Sequence, residues 1–146
     1  MLQKITLPIS ESLEISKAEY FDRIQAVHNR GQYKQWGKFF LEMLIASANT
    51  TLERIDKMLQ IRAKNVDLIN NFGRDTVYLN NAYKYIENCI FLSVSDLANN
   101  IGVSYNTAAR IVNELMELKI LRLLNNQAHN RIYYYADFLD AVDVLI

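Results

Sequence analysis

The most distinctive pattern in the chain is a change of hydrophobic period between residues 93 and 136. Leu97, Ala98 and Ile101 fall on one side of a short helix that the polar pair Ser95-Asp96 opens and Gly102 closes. Val103 and a second capping serine, Ser104, then lead into a second helix over residues 106–118. There Ala108, Val112 and Leu115 recur at three- and four-residue steps and form a buried face. The period shortens after that. Residues 120–124 and 132–135 read as two strands around the polar loop 125–131. Two helices joined by a Gly-containing turn and followed by a strand pair predict a winged helix-turn-helix unit, the geometry that offers a helix to a DNA major groove.

Upstream, residues 1–15 are apolar and extended at first (Ile5, Leu7, Pro8, Ile9), then helical over 10–15. Ser16-Lys17-Ala18-Glu19 has the spacing of a capping box. The helix it opens carries Tyr20, Ile24 and Val27 on one face and ends near Arg30, with Gly31 free to turn left-handed. A much longer helical stripe follows over 34–69, running from Trp36, Phe39 and Met43 through Leu52, Ile55 and Leu59 to Val66 and Ile69. About 35 residues at roughly 1.5 Å each exceed ~50 Å, so such a helix either bends or packs its far end on another subunit. Asn70-Asn71-Phe72-Gly73 ends it, and further helices are predicted over 75–89 and 136–146. The expected architecture is mostly α: a helical region over 1–73, then a winged helix-turn-helix domain over 74–146 with a small β-hairpin.

Composition supports a globular, helix-rich chain. Hydrophobic residues make up 51% of 146 positions, with only 4 Gly and 1 Pro to interrupt helices. Net charge is zero, from 16 basic and 16 acidic residues, so no global electrostatic footprint points to nucleic acid. Within 93–136 the balance is slightly positive: Arg110, Lys119, Arg122 and Arg131 stand against Asp96, Glu114 and Glu117. The single Cys89 excludes an internal disulfide, and its apolar neighbours suit a small buried hydrophobe. With His28 and His129 far apart, no metal-ligand spacing exists. No apolar run approaches the ~20 residues of a membrane span, and no secretory signal pattern opens the chain, so a cytoplasmic location is expected.

On the second helix of the pair, Tyr105, Asn106, Thr107, Arg110 and Asn113 are predicted to face outward. Asn can bond adenine through two hydrogen bonds and Arg guanine, while Thr and Tyr suit phosphate or a thymine methyl. His129 and Arg131, in the loop of the strand pair, are placed to reach neighbouring phosphate. The expected partners are double-stranded DNA and a second copy of the chain, the long helix setting half-site spacing in a homodimer. A protein-interaction or dimerisation module is the competing expectation, favoured by the balanced charge and by Tyr133-Tyr134-Tyr135. No base, nucleophile and metal converge, so neither enzyme activity nor a cofactor is expected.

Several segments also resemble the Fic family downstream of its active-site helix. They are Leu7-Pro8-Ile9-Ser10, the run from Ala18-Glu19-Tyr20-Phe21-Asp22 to Val27, and Trp36 with Phe39-Phe40-Leu41-Glu42. Many bacterial Fic proteins end in a winged helix whose pattern is similar to Ser93-Val94-Ser95-Asp96-Leu97-Ala98 and Gly102-Val103-Ser104-Tyr105-Asn106-Thr107-Ala108. The family's signature, His-x-Phe-x-Asp/Glu-Gly-Asn-Gly-Arg, supplies its catalytic base and phosphate cradle. It has no counterpart here and would lie before residue 1, so the resemblance implies a C-terminal part that does not transfer AMP by itself. Two departures stand out: Lys119 where Gly is common, and Gln127-Ala128-His129-Asn130-Arg131 where the loop is usually richer in arginine.

Overall fold

The structure is a computed structural model and describes residues 9–73, 75–124 and 131–141. Its elements run α1 (Ile9–Ile15), α2 (Lys17–Arg30), α3 (Tyr33–Asn71), α4 (Thr76–Ile86), β1 (Phe91–Ser93), α5 (Val94–Ile101), α6 (Tyr105–Glu117), β2 (Leu121–Leu123), β3 (Ile132–Tyr135) and α7 (Ala136–Ala141). The fold is thus mostly helical with a small antiparallel sheet. Packing divides the chain into two compact units between Asp56 and Lys57, inside α3.

In the N-terminal unit, α1 gives way to α2 at Ser16 with almost no break. The Ser16 N–H already donates to the Ser12 carbonyl at 3.2 Å, and its φ of −104° and ψ of 20° are not the extended values of a capping serine. The expected capping box is therefore absent, and Glu19 pairs instead with Arg23 at 3.0 Å. At the other end Gly31 takes φ 62° and its N–H reaches the Val27 carbonyl, as its position predicted. Phe39, Met43 and Ser47 are the buried face of α3 here, and Trp36 stacks on Phe40 with ring centres 5.2 Å apart. Ile9, expected in an extended stretch, lies in the first turn of α1.

The C-terminal unit holds the main core. Ile69 of α3, Leu79, Tyr83 and Ile86 of α4, Leu97 of α5, and Ile111 and Leu115 of α6 close over Leu92, Leu121, Tyr133 and Tyr135 of the sheet. Strand order is β1-β3-β2, all antiparallel, with Tyr133 opposite both Leu92 and Leu123. The sequence predicted two strands; the third, β1, has only three residues, too few to display a period of two. Residues 120 and 124 of the expected first strand fall just outside β2. A buried polar relay ties three elements together: Asn65 Nδ2 donates to the Tyr135 hydroxyl at 3.1 Å, which lies 2.7 Å from the Tyr83 hydroxyl. Burial raises the pKa of both tyrosines, and for Tyr135 the hydrogen bond with Tyr83 adds to the rise.

Other expectations shift by a few residues. The helix predicted over 75–89 is α4, which stops at Ile86, and Cys89 beyond it is half-buried, its thiol donating to the Phe91 carbonyl at 3.0 Å. The last helix is described only as far as Ala141; the rest of the predicted span, 142–146, lies outside the described residues. No helix among the described residues is long and apolar enough to cross a membrane.

Candidate nucleic-acid interface

Three local devices set the positions of α5 and α6. The first is a complete capping box at the start of α5. Ser93 Oγ accepts from the Asp96 N–H at 3.2 Å, and the Ser93 N–H donates to Asp96 Oδ2 at 2.9 Å. The same two groups of Ser93, hydroxyl first and N–H second, hold the Asp96 carboxyl below the usual carboxylate range. The cap is therefore Ser93, two residues earlier than Ser95, the residue expected to open the helix. The second device is Gly102 at φ 67°, whose left-handed turn lets the Val103 N–H return to the Ala98 carbonyl at 3.1 Å. The third is Ser104, which caps α6 by accepting from the Thr107 N–H at 3.3 Å.

A fourth device closes α6. The Ile120 N–H reaches the Leu115 carbonyl at 3.0 Å and the Lys119 N–H the Met116 carbonyl at 2.9 Å, the paired bonds of a Schellman turn. Such a turn needs a left-handed residue, and Lys119 has φ 62°. Lysine here carries the strain of a Cβ in that region.

Of the seven site residues proposed from sequence, the structure brings five onto α6. Tyr105 (59% exposed), Asn106 and Asn113 face solvent as expected. Thr107 is half-buried, and its hydroxyl lies 2.9 Å from Ser104 Oγ, so it is engaged in the cap rather than turned wholly outward. Arg110 faces outward but is not free: its Nη1 bonds Asp75 Oδ2 and Glu114 Oε1, the latter at 3.1 Å. Arg131 lies just before β3. His129 lies in the 125–130 loop, outside the described residues.

Between α6 and the sheet lies a cleft of about 830 Å³. Tyr105 and Asn113 line its α6 wall, Phe91 and Asp96 the side of β1 and α5, and Arg131 and Ile132 the side of β3. Apolar rings and amide, hydroxyl, carboxylate and guanidinium groups thus meet in one concave surface, which can take up planar and hydrogen-bonding groups together. Two residues that matter here escaped the sequence reading. Asp75 comes to Arg110 from 35 positions away, which no local spacing can signal. Glu114 is only 5% exposed although it sits one turn beyond Arg110, and only its acidic i,i+4 spacing to that arginine hints at the pairing. The aromatic strand reads differently as well: Tyr133 and Tyr135 alternate inward to the core, so only Tyr134 of the three is even half-exposed. No known family model and no curated protein matches this sequence.

Proposed function

We propose that the C-terminal unit is a winged helix-turn-helix module that binds double-stranded DNA. The single observation that carries this reading is the exposed polar face of α6, where Tyr105, Asn106 and Asn113 stand beside the cleft that Arg131 borders. In such a module α6 is the helix that enters the major groove, β2 and β3 flank the wing, and the two asparagines read base edges. The same reading takes the chain as the C-terminal, regulatory part of a Fic-type protein, acting in the cytoplasm and transferring no AMP itself.

The test is fluorescence anisotropy at low salt, with random duplex and with the DNA flanking the protein's own gene. Binding at micromolar protein or tighter is expected, weakening steeply with salt. Substituting Asn106 or Asn113 by Ala should cost about 1–3 kcal/mol on the preferred sequence and less on random duplex. No binding to either duplex at micromolar protein overturns the reading.

A second reading, a dimerisation module, is favoured by α3 in the N-terminal unit. Leu41, Ile45 and Leu52 are 60%, 61% and 59% exposed, at spacings of four and seven residues that share a helix face. The two readings are compatible, since a dimer would present two copies of α6 at a fixed spacing. A monomeric mass by sedimentation over the micromolar range removes this second reading.

A further inference from the structure

We infer that Asp75 is an internal competitor for Arg110, occupying the guanidinium that the α6 face would otherwise offer to a phosphate or guanine, and so sets the affinity of that face for anionic ligands. The inference rests on the DNA-binding reading but adds a residue that no part of it requires. Arg110 is the one basic residue in α6, Tyr105–Glu117. It bonds two carboxylates, Asp75 from the turn between α3 and α4 and Glu114 from its own helix. Two acidic groups around one guanidinium leave the centre of the helix net negative, which opposes the approach of a polyanion.

An ordinary surface ion pair could look similar, but Asp75 shows two features such a pair does not need. Its φ is 53°, left-handed for a residue with a Cβ. It also occupies the N-cap position of α4, where aspartate is among the best caps, yet its side chain makes no capping hydrogen bond. Both features carry a local cost, and both come with a carboxylate turned to Arg110. A carboxylate at a capping position that turns to Arg110 rather than to its own helix points to a role for that contact. Glu114 lies on the same helix at i,i+4 and can stay paired whatever Arg110 does beyond it. Asp75, on a separate element, is the contact that an incoming phosphate would displace.

The experiment compares the full chain with Asp75→Asn, Arg110→Ala and the double variant. Asn tolerates left-handed φ and caps helices, so Asp75→Asn should keep the fold; thermal melts of all four proteins check this. Two readouts are taken on each. In the first, duplex anisotropy over a salt series, Asp75→Asn should bind about fivefold tighter with a log–log salt slope steeper by about one, the value of one added phosphate contact. Arg110→Ala should bind no tighter than wild type, and the double variant should lose the whole gain. In the second, phenylglyoxal labelling followed by peptide mass spectrometry, Arg110 should react several-fold faster in Asp75→Asn than in wild type.

Equal affinities and slopes in wild type and Asp75→Asn, both binding DNA, overturn the competitor and leave the DNA reading standing. A gain that survives Arg110→Ala overturns it too, since the effect is then bulk charge. If no protein binds duplex, the DNA reading fails, and the labelling decides separately. Faster reaction at Arg110 in Asp75→Asn still establishes that Asp75 withholds it, and an unchanged rate overturns that as well.

Discussion

The two compact units bury their apolar residues to different extents. In the C-terminal unit, Leu79, Ile86, Leu97, Ile111 and Leu115 are fully buried beside a relay of hydrogen bonds among Asn65, Tyr135 and Tyr83. In the N-terminal unit, α2 buries none of its residues, and Leu41, Ile45 and Leu52 of α3 stand out in solvent. Hydrophobic burial at roughly 25 cal/mol per Å² is the main favourable term in folding, so the C-terminal unit holds most of the chain's intrinsic stability. Its rigid core is what allows a polar face on α6 to keep a fixed shape. The N-terminal unit presents apolar surface of the kind that marks an interaction site.

The largest effect should come from the cores. Leu97→Ala removes a fully buried side chain and should cost about 2–5 kcal/mol, whereas Leu52→Ala, on an exposed face, should stay within about 0.5 kcal/mol in the monomer. Urea unfolding of the two variants measures the contrast, and similar losses would erase the difference between the units.

Next comes the relay. Tyr135→Phe takes away the acceptor of Asn65 Nδ2 and the partner of the Tyr83 hydroxyl and should cost about 1–3 kcal/mol. Both tyrosine pKa values are raised in the fold, so the stability they confer is intact below the unfolded value near pH 10 and lost as pH rises through the folded values. Absorbance at 295 nm should accordingly show Tyr83 and Tyr135 ionising only when the chain unfolds in alkali.

A smaller loss, about 0.5–2 kcal/mol, is expected for Ser93→Ala, which removes the cap of α5. Here the sign is reversed. The Asp96 pKa is lowered, so its contribution is present above the unfolded value near 4 and lost as pH falls through the folded one. The gap between wild type and Ser93→Ala, followed by thermal melts, should be full at pH 7 and shrink below about pH 4. The smallest effect is a gain. Lys119→Gly relieves a left-handed Cβ at the end of α6 and, net of glycine's chain entropy, should add about 0.5–1 kcal/mol and raise Tm by a few degrees.

What could be read in the sequence follows the range of the physics. Helix α3 was legible because its apolar stripe repeats over ten turns, and the pair α5–α6 because Gly102 and Ser104 act on their immediate neighbours. Strand β3 emerged with its observed bounds, since Ile132–Tyr135 has both β-branched and aromatic character. The Ser16–Glu19 capping box was misread because the signal is local, yet α1 had already supplied the Ser16 N–H with a partner. On α6, outward-facing polar residues followed from periodicity, and Tyr105, Asn106 and Asn113 are exposed as that required. That Arg110 would be held by Asp75 did not follow, because the contact depends on how α4 and α6 pack and no spacing encodes it.

The most direct test of the role given to α6 is a chemical-shift map of backbone amides on titration with a 20-base-pair duplex at low salt. Shifts should cluster on Tyr105, Asn106, Asn113 and Arg131 while α2 stays unmoved. Shifts confined to α2 and the first half of α3, or none at millimolar duplex, would contradict DNA binding through that helix.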